Sequence, residues 1–199
     1  MFGTMPTSNT SRTHQVRIIG GRWRGRRIAV PAGSELRPTP DRVRETLFNW
    51  LAPHIRGARC LDLFAGTGAL GIEALSRGAS EVCLVDSAYT ATNQLKRTLA
   101  TLDVNARVVT GDALELLRAG ALGDNWDIVF VDPPYKLDCQ LRALQLLAVP
   151  DVLAENARVY VESASALQAE TVAPAWELLR AKSAGQVRYH LLACEQFAN

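Results

Sequence analysis

Lysine is nearly missing from this chain. Only Lys96, Lys136 and Lys182 occur, so arginine carries the positive charge. Histidine and cysteine are scarce too. His14, His54 and His190 stand far apart, and Cys60, Cys83, Cys139 and Cys194 form neither a C-x-x-C pair nor a zinc-type spacing. No metal site is expected, and Cys60 and Cys83, set in apolar runs, are expected to be small buried hydrophobes. No apolar stretch approaches the ~20 residues that a membrane helix needs. The first fourteen residues lack the apolar core of a secretory signal and, rich in Thr and Ser, read as a flexible tail. The expected location is therefore the cytoplasm. What is present is a chain of 199 residues, 48% hydrophobic and 21% charged. That is ordinary globular composition, with length for a proper core.

The net charge of +2 conceals a division. Residues 1–60 hold eleven arginines against Glu35, Asp41 and Glu45, or +8, which leaves 2 − 8 = −6 for the remainder. A basic front on a mildly acidic body suits a polyanionic partner, although a solvated arginine-rich face would look the same. "GGRWRGRR" (Gly20–Arg27) interleaves Trp23 with Arg22, Arg24, Arg26 and Arg27. It reads as a backbone clamp with one stacking residue. Arg37, Arg42 and Arg44 follow and are expected nearer the active crevice.

Two short alternating runs, Gln15–Gly21 and Arg26–Pro31, predict a hairpin. Residues 31–40 are a loop full of breakers, and Asp41–Ile55 has helical spacing at Val43, Leu47, Phe48 and Leu51, with Asp41 as a plausible cap. From Gly57 the pattern alternates. Strands are predicted at 58–64, 80–86, 106–111, 126–132 and 157–163, with helices at 68–78, 89–102, 113–122 and 139–149, and a closing strand pair over 175–196. Such alternation predicts an α/β domain with a mostly parallel sheet covered on both faces. The organisation expected is a tail (1–14), a hairpin and helix extension for RNA binding (15–56) and a catalytic domain (57–199).

Ligands of such sheets bind at the carboxyl ends of the strands. Asp62, Asp86, Asp112 and Asp132 all lie at or just past predicted strand ends, with Asp112 the one most readily explained as a helix cap. Between the first two acids lies Gly66-x-Gly68-x-x-Gly71. Taken alone this fits a dinucleotide fingerprint as well as other nucleoside sites. Asp62 separates the readings, because a carboxylate just before the glycine turn repels a pyrophosphate and suits an ammonium group. S-adenosylmethionine, with an amino-acid end and a nucleoside end, matches that polarity. Asp86 is then placed for ribose hydroxyls, and Asp112 with the Ala113 N–H for adenine.

"LDLFAGTGALGIEALSRGA", "VCLVD", "GDA" and "VDPPY" together resemble the class I S-adenosylmethionine-dependent methyltransferases. "RIIGG", a nearby "RG" and "LRPTPDRVRETLFNWL" narrow the likeness to the bacterial 16S ribosomal RNA guanine-N2 methyltransferases, from about Val16 to the C-terminus. Pro40 stands where that family's loop is expected to carry a small polar residue. The resemblance implies a Rossmann-like fold with seven strands and a small N-terminal extension. It implies cofactor contacts from Asp62, Phe64, Ala65, Gly66, Thr67, Gly68, Asp86, Ser87, Asp112 and Ala113, with Thr39 in a segment that closes the cofactor site. The implied substrate is 16S rRNA in the small subunit or an assembly intermediate, and a monomer is expected because no long apolar stripe suggests more.

The stretch Asp132-Pro133-Pro134-Tyr135 carries the chemistry. An aromatic exocyclic amine is a weak nucleophile because its lone pair is delocalised into the ring. Two acceptors around the nitrogen, the Asp132 carboxylate and the Pro133 carbonyl, favour pyramidal geometry and the positive charge that develops. Pro133 and Pro134 fix φ, and Tyr135 offers a flat face for an extruded base, worth ~1–3 kcal/mol. An aspartate of ordinary pKa suffices to take the proton afterwards. Three other readings stay open: an adenine-N6 methyltransferase on DNA or RNA, an NAD-dependent oxidoreductase, and an RNA-binding assembly module without catalysis.

Overall fold

A computed structural model describes residues 15–30, 39–134, 139–165, 167 and 175–195. Fourteen elements follow one another. They are β1 (Gln15–Arg17), β2 (Arg27–Ala29), α1 (Asp41–Trp50), β3 (Arg59–Asp62), α2 (Ala69–Ser76), β4 (Glu81–Asp86) and α3 (Tyr89–Thr101). Then come β5 (Arg107–Thr110), α4 (Ala113–Arg118), β6 (Trp126–Val131), α5 (Gln140–Leu147), β7 (Leu153–Ser163), β8 (Trp176–Ala184) and β9 (Val187–Cys194). Strands β3 to β9 form one seven-stranded sheet in the order β5-β4-β3-β6-β7-β9-β8, and β1 pairs with β2 as a separate antiparallel ribbon. The first five strands of the large sheet run parallel, and β9 and β8 return antiparallel. The expected Rossmann-like architecture is the one observed.

The central strands β4 and β6 are mostly apolar because both faces of the sheet are covered there. Successive strand residues divide between two cores. Cys60, Val82, Leu84, Ile128, Phe130 and Tyr160 face one core, shared with α1, α2, α3 and the hairpin. Leu61, Cys83, Val85, Val129, Val131, Val159 and Val161 face the other, shared with α4 and α5. Val16, Ile18, Trp23 and Ile28 of the hairpin region belong to the first core, so the N-terminal extension packs directly on the sheet domain.

Helix α1 begins differently from expectation. Its N-cap is Pro40, whose carbonyl accepts from the Val43 and Arg44 N–H groups. Asp41 already lies inside the helix, and its carboxylate pairs with Arg44 at 2.7 Å and Arg17 at 3.3 Å. Helix α4 stops at Arg118 because Gly120 turns the chain at φ +64°, and Arg107 caps the turn by donating to the Ala121 and Leu122 carbonyls.

Candidate active site

Four strand tips converge at the carboxyl edge of the sheet. Asp62 ends β3, in register with Phe130 of β6 and Leu84 of β4. It is buried, and its carboxylate accepts from the Gly71 N–H at 3.0 Å, which ties the strand tip to α2. Burial, with the nearby Asp86 charge, pushes its pKa to about 7 despite hydrogen bonds from the Gly71 and Phe64 amides.

The chain turns between β3 and α2 through Gly66 (φ +50°) and Gly68 (φ +78°), conformations that favour glycine. Asp86, at the tip of β4, holds this turn. One carboxylate oxygen accepts from the Gly66 N–H at 2.9 Å and the other from the Ala88 N–H at 2.8 Å. Each oxygen keeps a second lone pair for a ligand hydroxyl. Ala65 donates to the Val85 carbonyl, Thr67 is buried, Phe64 half-buried and Ser87 exposed. Asp112 caps α4, accepting from the Leu114 and Glu115 N–H groups at 2.9 Å each, and Ala113 is buried as the first helical residue. This set of acceptors therefore fits a ligand rich in hydroxyl and ammonium donors, and disfavours a pyrophosphate. Among the described residues no cluster of three His, Cys, Asp or Glu is grouped to hold a metal.

Asp132 follows β6 directly, two residues beyond Phe130 and therefore on the same face. Pro133 is buried and Pro134 exposed; Tyr135 and Arg37 lie outside the described residues. Asp132 is half-buried, and the Thr39 hydroxyl donates to its carboxylate at 3.0 Å. Thr39 is thus engaged with the proposed catalytic acid rather than turned wholly to a cofactor. The sequence reading asked only that an ordinary carboxylate suffice at Asp132; in the fold its pKa is shifted. Burial, then the neighbouring Glu162 and Asp62 charges, raise it well above the usual carboxylate range, and the Thr39 bond opposes the rise.

Glu162 is the residue that sequence reasoning missed. It sits on β7, buried, and β6 and β7 pair Phe130 with Tyr160 and Val131 with Val161. The next register step sets Glu162 beside Asp132. The Tyr160 hydroxyl donates to its carboxylate at 2.8 Å. The available signal was an acid in an otherwise apolar strand, "VYVES". Glu73 carried a similar signal within α2. It is buried and accepts from the Ile19 and Gly20 N–H groups, each at 2.7 Å, and from Arg77 at 2.7 Å, docking the hairpin on the sheet domain.

The basic front divides in two. Arg22, Arg24, Arg26, Arg27 and Arg42 are exposed. Trp23 is 6% exposed, packs in the core, and donates its backbone N–H to Ser76 Oγ at 3.0 Å. It is therefore no stacking platform, which corrects the sequence reading. Arg44 is fully buried and bonds the Thr39 and Arg17 carbonyls, so it braces the crevice wall from within. Trp50 packs against Tyr189, ring centroids 5.5 Å apart.

Comparison with known proteins gives a consistent picture. A family model described as conserved hypothetical protein 95 matches residues 16–193. The chain is 50% identical to ribosomal RNA small subunit methyltransferase D of Escherichia coli strain K12, over 94% of each chain. It is 43% identical to the protein of the same name from Haemophilus influenzae, over 89% of this chain and 93% of that one. A solved structure of a putative methyltransferase from Escherichia coli is 48% identical, with a TM-score of 0.79, covering 91% of this chain and 98% of that chain.

Proposed function

Because the chain belongs to the conserved hypothetical protein 95 family, alongside the proteins named ribosomal RNA small subunit methyltransferase D, we propose that it transfers a methyl group to the exocyclic N2 of a guanine in 16S ribosomal RNA. The methyl donor is S-adenosylmethionine, whose sulfonium supplies an electrophilic methyl group. The observation that carries the reading is the position of Asp132. Its carboxylate lies just past the tip of β6, the strand paired with the one that leads into the glycine turn, is followed by two prolines, and is only half-buried.

Asp62 receives the ammonium end of the cofactor, Asp86 the ribose hydroxyls, and the Asp112–Ala113 turn the adenine. Phe64, Ala65, Gly66, Thr67, Gly68 and Ser87 line the path between them. Asp132 and the Pro133 carbonyl accept from the guanine amine, orient its lone pair and stabilise the charge it acquires. Asp132 then takes the surplus proton. Tyr135 stacks the base, which must first leave any helix. Arg22, Arg24, Arg26, Arg27, Arg37 and Arg42 hold phosphates around it. The protein acts as a monomer in the cytoplasm, on the small subunit or an assembly intermediate. Family membership favours this reading over adenine-N6 methylation, which the same four residues could serve.

The experiment is methyl transfer from labelled cofactor to small ribosomal subunits lacking the modification, followed by nucleoside analysis. N2-methylguanosine is expected, and N6-methyladenosine instead would replace the proposal with the adenine reading. Asp132→Ala is expected to lower transfer at least 100-fold while cofactor affinity stays within a few-fold. Parallel loss of both would remove Asp132 from its role at the amine.

A further inference from the structure

Strand β7 lies inside the sheet, between β6 and β9, yet it turns an arginine to the α1 side. Tyr160 faces the core shared with α1, so Arg158, two residues back, points to the same face. An inner strand of a covered sheet ordinarily carries an apolar residue there. Arg158 is half-buried, and its Nη1 donates to the Asn156 and Ala157 carbonyls of its own strand at 2.9 and 3.0 Å. Those bonds hold the guanidinium in place and leave its charge intact.

That charge faces a cavity of about 450 Å³ between the end of α1 and strands β7, β8 and β9. Ligand sites commonly enclose ~300–1,000 Å³. Trp50, Leu179 and Leu191 give the cavity apolar surface, and Arg158, Arg180 and His54 give it polar groups. Arg180 comes from β8 and donates to the Leu179 carbonyl at 2.7 Å. Among the described residues no carboxylate forms an ion pair with either arginine. Burial, then the Arg158 charge, lowers the His54 pKa, so a positive field reaches across the cavity. The half-buried Trp50 ring rests on Tyr189, which packs on Tyr160 in turn, so the indole is fixed before any ligand arrives.

Two guanidinium groups beside an indole and two leucines match a phosphate joined to a flat base. His54 and Arg180 are exposed, so the cavity opens to the surface as a groove through which a strand can pass. It lies outside the methylation crevice. Arg158 is in register with Ile128, four residues before Asp132, or roughly 13 Å down the strand at ~3.3 Å per residue. Helix α1 separates the groove from the cationic hairpin. On one side its Phe48 meets Arg77 of the α2 end that anchors the hairpin, and on the other its Trp50 meets Tyr189 of β9.

We propose that this groove binds an unstacked nucleotide of ribosomal RNA, with the base against Trp50 and neighbouring phosphates at Arg158 and Arg180. It is a second RNA contact, across α1 from the hairpin. The proposal rests on the RNA-methylating reading for the identity of the partner, and its test reads binding rather than methyl transfer.

The emission of Trp50 is obtained as the difference between the parent protein and Trp50→Phe. A short single-stranded oligoribonucleotide of mixed sequence is expected to quench it, and equal quenching in parent and variant overturns the proposal. Arg158→Gln with Arg180→Gln is expected to lower oligonucleotide affinity and to make its salt slope shallower by about 1.4, at ~0.7 per phosphate. Cofactor affinity is expected to stay as in the parent. Should the double variant fail to fold, Arg180→Gln alone is expected to remove about 0.7 from the slope. An unchanged slope overturns the proposal. So does a nucleoside 5′-monophosphate that quenches Trp50 as well as the oligonucleotide does, which would make this a free-nucleotide site. Displacement of the oligonucleotide by polyglutamate at equal charge would assign the groove to an acidic protein instead. If quenching and slope are as expected while small subunits acquire no methyl group, the groove stands and the methyl-transfer reading falls.

Discussion

Asp62 and Asp132 are both acids at strand tips, yet their surroundings give them different work. Asp62 is closed in and bonded to the Gly71 amide, with burial holding its pKa at about 7. Near neutrality it is thus only partly ionised, and a cationic ligand selects the ionised form. The sign follows from that selection. As pH rises from 6 to 8 the ionised fraction grows from about one tenth to nine tenths. Affinity for S-adenosylmethionine is then expected to rise several-fold from pH 6 to about 7.5, above which loss of the ligand's own ammonium proton, at about 7.7–8.0, opposes it. Titration calorimetry across the range, with Asp62→Asn alongside, checks this. A slope that survives in the variant would assign the effect to another carboxyl. The place of these two acids at strand tips was legible from the glycine turn and the two prolines that follow them. Their pKa values were not, because each depends on Asp86, Glu162 or Thr39, which lie far off in the chain. Glu162 was illegible for the same reason: one acid in a strand gains meaning only when its neighbour across the ladder is known.

At the scale of elements, helix α2 links the glycine turn to the N-terminal hairpin. Its first turn approaches the sheet through Gly71, where a Cβ would collide with Leu84 and stand 3.2 Å from both the Asp62 carboxylate and Val82. Its last turn anchors the hairpin, since Ser76 Oγ donates to the Gly20 carbonyl at 2.6 Å while its own carbonyl accepts from the Arg22 N–H at 2.7 Å. Gly71→Ala is expected to destabilise the protein by about 2 kcal/mol through overpacking. It should also weaken cofactor binding by displacing Asp62. A denaturation midpoint and a binding isotherm measure the two effects, and a stable variant with wild-type affinity would show that the helix can shift without cost. The strand–helix alternation that yields α2 was readable from period alone. The hairpin's seat was not. Trp23 between arginines reads as a polar, nucleic-acid-facing residue, and only the convergence of Val16, Ile18 and Ile28 on the same core turns its ring inward. Asp41 misled for a local reason: Pro40 takes the cap position, and the acid is drawn to Arg44 and Arg17 instead.

Across the whole molecule, the described part of the arginine-rich first sixty residues shares one core with the acidic remainder rather than forming a separable body. The cationic hairpin is therefore held at a fixed distance from the strand tips, so that on the proposed reading phosphates bound there would set where a base can reach. Arg22, Arg24 and Arg26 project from this ribbon. Arg22 lies over the Trp23 ring at 5.6 Å, with its charge still exposed to solvent. Replacing all three by Ala leaves the backbone bonds of the ribbon intact, because Arg22 N–H to Ser76 and Ile18 N–H to the Arg26 carbonyl do not use side chains. Folding is thus expected to persist and RNA affinity to fall. If each guanidinium neutralises one phosphate, the slope of log affinity against log salt becomes shallower by about 2, at ~0.7 per contact on single-stranded RNA. Cofactor affinity should remain as in the parent protein, since the strand-tip acids are untouched. Binding isotherms for an rRNA fragment between low and physiological salt provide the measurement. An unaltered slope would mean that phosphates meet the protein elsewhere, and that the charge division of this chain serves solubility rather than recognition.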